Sequence, residues 1–176
     1  MNKRLVVVAV IAVGSLLRAV AVEACGDKFV LIGRGARVAR AKYPSSILIF
    51  MNPASRIPAA EKEFHVEAIL KAAGHKARVA ENEAEVRREV ESGKYDLVLA
   101  DVTDVPALRR EAGATSAKPA VIPILYEPTP AELAAAEKDA SCLVRPSKKS
   151  RDLLAVVDDA MRDRRKGTGS MCAPAP

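Results

Sequence analysis

Asp101 ends the run Tyr95-Asp96-Leu97-Val98-Leu99-Ala100-Asp101, Arg145 follows the apolar residues 142–144, Asn52 comes two residues after the apolar run 47–50, and Tyr126 closes the run 120–126. Each sits at or just beyond a short apolar segment that reads as a strand. Ligands of open parallel sheets bind at the carboxyl ends of the strands, so these side chains are expected to share one shallow crevice. A guanidinium forked onto a carboxylate makes a fixed ion pair, and Arg145 on Asp101 is the expected one here.

Other chemistry finds less material. The histidines, His65 and His75, are too sparse for a metal site or a triad and read as solvated surface residues. Cys25, Cys142 and Cys172 form no CxxC motif, and an odd number leaves one thiol outside any single disulfide. Cys142 within an apolar strand reads as a buried thiol, with a disulfide as the alternative. Gly33-Arg34-Gly35 lacks the third glycine of a dinucleotide loop and reads as a turn.

The elements that must position the crevice alternate over residues 46–166. Short strand-like segments at 47–50, 76–80, 97–100, 120–126 and 141–144, mostly apolar except for 76–80 with Lys76 and Arg78, are spaced by helical patterns, the signature of βαβ units around a parallel sheet. Val66, Ile69, Leu70 and Ala73 recur at helical spacing after Pro58, and Gly74 stops that helix. Asn82 with Glu85 reads as an N-cap and Gly93 as the stop that follows. Residues 106–112 read as a short helix, Thr129-Pro130 starts another, and 150–166 is the longest. Pro123 is awkward inside a central strand and points to a bulge or an edge.

The chain has 176 residues, 49% hydrophobic, with a formal charge of +6. Aromatics are 3% and tryptophan is absent, which leaves little to stack bases, so nucleic acid is not an expected partner. Lys3 and Arg4 precede an apolar run over 5–17 that Arg18 interrupts, short of the roughly 18 residues a membrane span needs. Residues 1–24 therefore read as an export signal. Val22-Glu23-Ala24-Cys25 fits cleavage before Cys25 and also approximates a lipobox, in which Cys25 would carry lipid. Residues 25–45 form an N-terminal extension, 46–166 the α/β domain, and 167–176 a disordered tail.

Ile-Leu-Lys-Ala-Ala-Gly-His ahead of the second strand, Tyr-Asp-Leu-Val-Leu-Ala-Asp at the third and Arg145-Pro146 after the fifth resemble the receiver domain of bacterial response regulators. The resemblance covers residues 46–166. It implies a flavodoxin-like, three-layer sandwich with a five-stranded parallel sheet, and it places Asp101 at the phosphoacceptor position. In that family an acidic pair after the first strand holds Mg²⁺, which neutralises the phosphoryl oxygens during transfer. Here the pair reads Met51-Asn52, Tyr126 replaces the switch hydroxyl, Arg145 replaces the lysine, and the first loop, 51–57, is longer.

The expectation is a degenerate receiver-like module in the periplasm or cell envelope: no enzyme, no cofactor, no bound metal, acting through an unidentified protein partner. Basic groups at Arg34, Arg37, Arg40 and along 148–166 could also attract an envelope or membrane surface. Two alternatives stand beside it, an atypical phosphoacceptor using Asp101 in a phosphorelay and a small anionic-ligand binder using the long first loop.

Overall fold

A computed structural model describes residues 29–32, 36–139, 142–146 and 149–167. The export segment, Cys25, Cys172 and most of the expected tail lie outside the described residues. Strands β1 (Phe29–Ile32) and β2 (Ala36–Ala39) pair antiparallel, Phe29 opposite Ala39. The domain proper then runs β3 (Ser46–Phe50), α1 (Ile57–Phe64), α2 (Val66–Ala73), β4 (Lys76–Ala80), α3 (Glu83–Glu91), β5 (Leu97–Asp101), α4 (Val105–Ala114), β6 (Ala120–Ile124), α5 (Pro130–Asp139) and α6 (Ser150–Lys166).

The four-stranded sheet has the order β4-β3-β5-β6, all parallel. Side chains alternate along it, as strand geometry requires. Ile47, Ile49, Leu97, Leu99 and Ile122 pack on one face against Leu70, Leu154 and Val157, while Leu48, Phe50, Val98 and Val121 pack on the other against Val86, Val90 and Leu108. Burial on both faces explains why β3, β5 and β6 read as unbroken apolar runs, whereas the edge strand β4 carries exposed Lys76 and Arg78.

Among the described residues the fifth strand shrinks to one parallel bridge, Ile124 with Val144. Val144 N–H donates to the Pro123 carbonyl and Leu125 N–H to the Val144 carbonyl, each at 2.9 Å. A residue's N–H and C=O point to the same side of a strand, so a donor at 123 would have faced residue 142. Proline has none, and the ladder stops there. Pro123 pairs in register with Ala100 on its other side, so the strand carries no bulge at that position.

The expected single helix over 58–73 is two. His65 takes a left-handed backbone, φ 53 and ψ 49, and separates α1 from α2. Gly74, at φ 98, caps α2, and Asn82 accepts the Glu85 N–H at 2.9 Å as the N-cap of α3.

His75 departs from expectation. It is only 4% exposed, its Nδ1 sits 2.9 Å from Ser45 Oγ, and its Nε2 has no hydrogen-bond partner. Burial lowers its pKa from the ordinary histidine value, with Asp158 pulling weakly the other way. The segment entering β3 covers it. Val38 is buried in the core, Ala41 N–H bonds the Ala73 carbonyl at 2.8 Å, and Asp158 of α6 accepts the N–H groups of Lys42 and Tyr43. The buried free thiol expected at Cys142 is also corrected: Cys142 is buried and disulfide-bonded, and the other two cysteines lie outside the described residues. Among the described residues, no helix is long and apolar enough to cross a membrane.

Candidate functional site

β5 delivers Asp101 to the carboxyl end of the sheet, where it is 7% exposed. Its Oδ1 accepts the Thr103 N–H at 3.1 Å and the Thr103 hydroxyl at 2.9 Å, and its Oδ2 accepts the Arg56 N–H at 3.4 Å. A short carboxylate bonded two residues ahead is an Asx-type turn, and this one shapes the step from β5 into α4. Asp101 thus ties two loops together.

Asn52 does not reach Asp101. Its Nδ2 donates to both carboxylate oxygens of Asp104, at 3.0 and 3.2 Å, while its Oδ1 accepts the Ala54 N–H. Burial pushes the Asp104 carboxyl above its ordinary range; the Asn52 hydrogen bond opposes this, and the Asp101 charge adds to it.

The expected pair between Arg145 and Asp101 is not formed. Arg145 is exposed and pairs with Glu137 of α5, because Val144, beside it, takes the inward position. Arg56 supplies the cation of the crevice instead. Its guanidinium forks onto Glu132 and donates to the Glu127 carbonyl at 2.9 Å and to that of Tyr126 at 3.4 Å. Glu132 also accepts from the Thr129 N–H and hydroxyl, at 2.7 and 3.0 Å, and the Thr129 hydroxyl accepts the Glu132 N–H at 3.3 Å. This is a capping box at the start of α5. The Arg56 hydrogen bond, seconded by Thr129, holds the Glu132 carboxyl down at about 2.

Tyr126 leans over the same rim. Its hydroxyl donates to Glu63 at 2.6 Å, its ring meets Phe64 edge-on with centroids 5.9 Å apart, and the Glu63 carboxylate pushes the phenol up to about 12. Together Ser55, Arg56, Asp101, Thr103, Tyr126 and Glu132 enclose a crevice of about 160 Å³.

The structure therefore brings Asp101 and Tyr126 to one crevice, seats Asn52 beside it, and turns Arg145 away. Arg56, Thr103 and Glu132 were not singled out from sequence as crevice residues. Thr129-x-x-Glu132 carried a capping signal, and the long first loop was visible, but nothing local says that this loop carries a guanidinium across to α5.

Comparison with family models, with curated proteins and with solved structures returns no match.

The chemistry open to the crevice follows from its bonds. A carboxylate that attacks phosphorus needs a free oxygen and a cation to neutralise the incoming charge. Asp101 Oδ1 accepts two hydrogen bonds and Oδ2 a single long one at 3.4 Å, so the cation is the part that is missing: the Arg56 guanidinium is turned to Glu132 and the loop carbonyls. Among the described residues no group of three or more His, Cys, Asp or Glu side chains could hold a metal ion.

Proposed function

We propose that this protein is a non-enzymatic, receiver-like interaction module of the cell envelope. In this reading, a fastening of the loops replaces the phosphoryl-transfer chemistry at the strand carboxyl ends. One observation carries it: the Asp101 carboxylate is engaged by Thr103 and by the backbone of Arg56, while Arg56 itself closes onto Glu132. The order β4-β3-β5-β6, extended by the bridge at Val144, supports a flavodoxin-like arrangement of receiver type. Export is supported by the pattern of residues 1–24 and by the disulfide at Cys142, since such bonds persist in oxidising compartments. Specificity for a protein partner then resides on the outer helix faces.

Two measurements test this. Incubation of the protein with a small phosphodonor and Mg²⁺, followed by intact-mass determination, is expected to leave the mass unchanged. Gain of one phosphoryl group that disappears in Asp101→Asn would restore the phosphoacceptor. Cell fractionation with the mass of the mature chain is expected to find an envelope protein beginning at Cys25; a full-length cytoplasmic chain would refute the envelope assignment.

A further inference from the structure

Cys142 is bonded to another cysteine, and the chain has three, so its partner is Cys25 or Cys172. Both candidates lie outside the described residues, but the described parts of the chain that lead to them start from opposite edges of the sheet. Val144 stands opposite Ile124 in parallel register, which sets Cys142 beside β6, near the level of Ile122. Cys142 is buried and shares a core cluster with Leu153, Val157, Ala160 and Met161 of α6.

The C-terminal side arrives at this edge. The last turn of α6 lies at the start of β6, because Arg164 donates to the carbonyls of Ala117 and Lys118 at 2.6 and 2.7 Å. Ile122 is four strand residues beyond Lys118, about 13 Å. Cys172 follows Gly167 by five residues, about 17 Å of extended chain, and a disulfide spans a further ~5.5 Å between Cα atoms.

The N-terminal side starts elsewhere. Phe29 pairs with Ala39, and two residues on, Ala41 N–H bonds the Ala73 carbonyl at the end of α2. α2 lies beside β1 and β4, and β4 is the far edge of the sheet. Four strand spacings, about 19 Å, separate that edge from the segment of Cys142, and its level along the strands makes the diagonal about 23 Å. Cys25 has only four residues ahead of Phe29, about 14 Å of chain, so even with the span of the bridge it falls short.

We propose that Cys142 is bridged to Cys172, and that the bridge is a redox-sensitive clasp holding segment 142–146 on the edge of β6. The inference rests on the envelope reading above, which supplies the oxidant. Forming the bond joins the two Sγ atoms, and two protons and two electrons pass to a disulfide-bearing oxidant, whose own disulfide becomes two thiols. Among the described residues the backbone holds this segment to β6 by two hydrogen bonds, Val144 N–H to the Pro123 carbonyl and Leu125 N–H to the Val144 carbonyl. The clasp supplies the hold that the shortened ladder lacks. It also uses Cys172, which leaves the Cys25 thiol for the lipid that residues 22–25 admit.

The test takes the mature protein from the envelope, with free thiols alkylated, and digests it with trypsin without reduction. Peptide 139–148 is expected joined to 167–176, with the peptide of Cys25 joined to neither. Peptide 139–148 joined to that of Cys25, or alkylated at Cys142, would overturn the proposal. Hydrogen exchange reads the clasp itself. Cys172→Ser should speed exchange of the Leu125 amide about tenfold or more, because the ring 142–172 is then open. Reductant should do the same to the wild type and nothing further to the variant. The Met51 amide, bonded to the Ala80 carbonyl at the opposite edge, should keep its rate and so show the variant folded. Equal Leu125 exchange in variant and wild type would refute the clasp. Purified chain, reduced and then reoxidised with glutathione disulfide, should re-form the same pair wherever the cell keeps it. A cytoplasmic chain that does so sinks the envelope reading and leaves the pairing, while an envelope chain with another pairing does the reverse.

Discussion

At the carboxyl ends of β3, β5 and β6, Asn52, Asp101, Asp104, Arg56 and Glu132 bond to one another and to loop backbone. At the amino ends of the same sheet, Lys76, Lys94 and Lys118 stand in solvent and form no ion pair among the described residues. Both ends are rich in charge; at the amino end Asp96, Asp158 and Arg164 bond to backbone as well, and it is the lysines that are left outward. Charge that finds a backbone N–H or a forked partner within reach fixes loops; charge left outward changes folding little and remains available to a surface that approaches from outside.

That contrast can be broken by mutation. Asp101→Ala should have the largest effect, because it leaves the N–H groups of Thr103 and Arg56 without their acceptor at a nearly buried position. A loss of about 2 kcal/mol is expected in urea denaturation. If stability is retained, the carboxyl end is not fastened through Asp101. Thr129→Ala removes the cap of α5 and the second anchor of Glu132, and about 1 kcal/mol should go with it in the same experiment.

Acidification should separate the two ends in order. The folded-state pKa of His75 lies below its ordinary 6.5, so the unfolded chain takes up the proton first. Stability is complete above about pH 6.5 and is lost as pH falls towards the lowered folded value. Glu132 titrates far lower, at about 2 against an ordinary 4.5. Its contribution is present above the ordinary value and lost as pH falls from there towards 2. Urea midpoints against pH should show a first decline that His75→Gln abolishes and a second, more acidic one that it leaves in place. A first decline that persists in His75→Gln would remove His75 from the account.

The smallest effect belongs to the lysines. Lys76→Gln and Lys94→Gln should each alter stability by no more than about 0.5 kcal/mol. A larger loss would mean that these lysines, too, are used for folding.

The sequence carried the sheet well because burial on both faces leaves runs such as 47–50 and 97–100 with no polar interruption. Caps were equally legible: Asn82 with Glu85 and Gly74 act through neighbours three or four residues away. The missed features all depend on the path of the chain in space. His75 looked solvated because its cover comes from segment 40–45 and α6. Arg56 was hidden because its partners on α5 lie seventy-six residues further on in the case of Glu132. The pairing assigned to Arg145 failed because a single bridge at Val144, in place of a full strand, left its side chain with Glu137.

Pro123 bears on how copies of this chain coexist. The outer edge of β6 is covered only briefly, by the bridge at Val144, and a sheet edge that opens is a template on which another molecule can add a strand. An incoming strand would meet a proline where it needs a donor. Fraying of residues 142–146 therefore exposes an edge that is poor at recruiting strands, and the defect that shortens the fifth strand also guards a crowded compartment against aggregation seeded from this side.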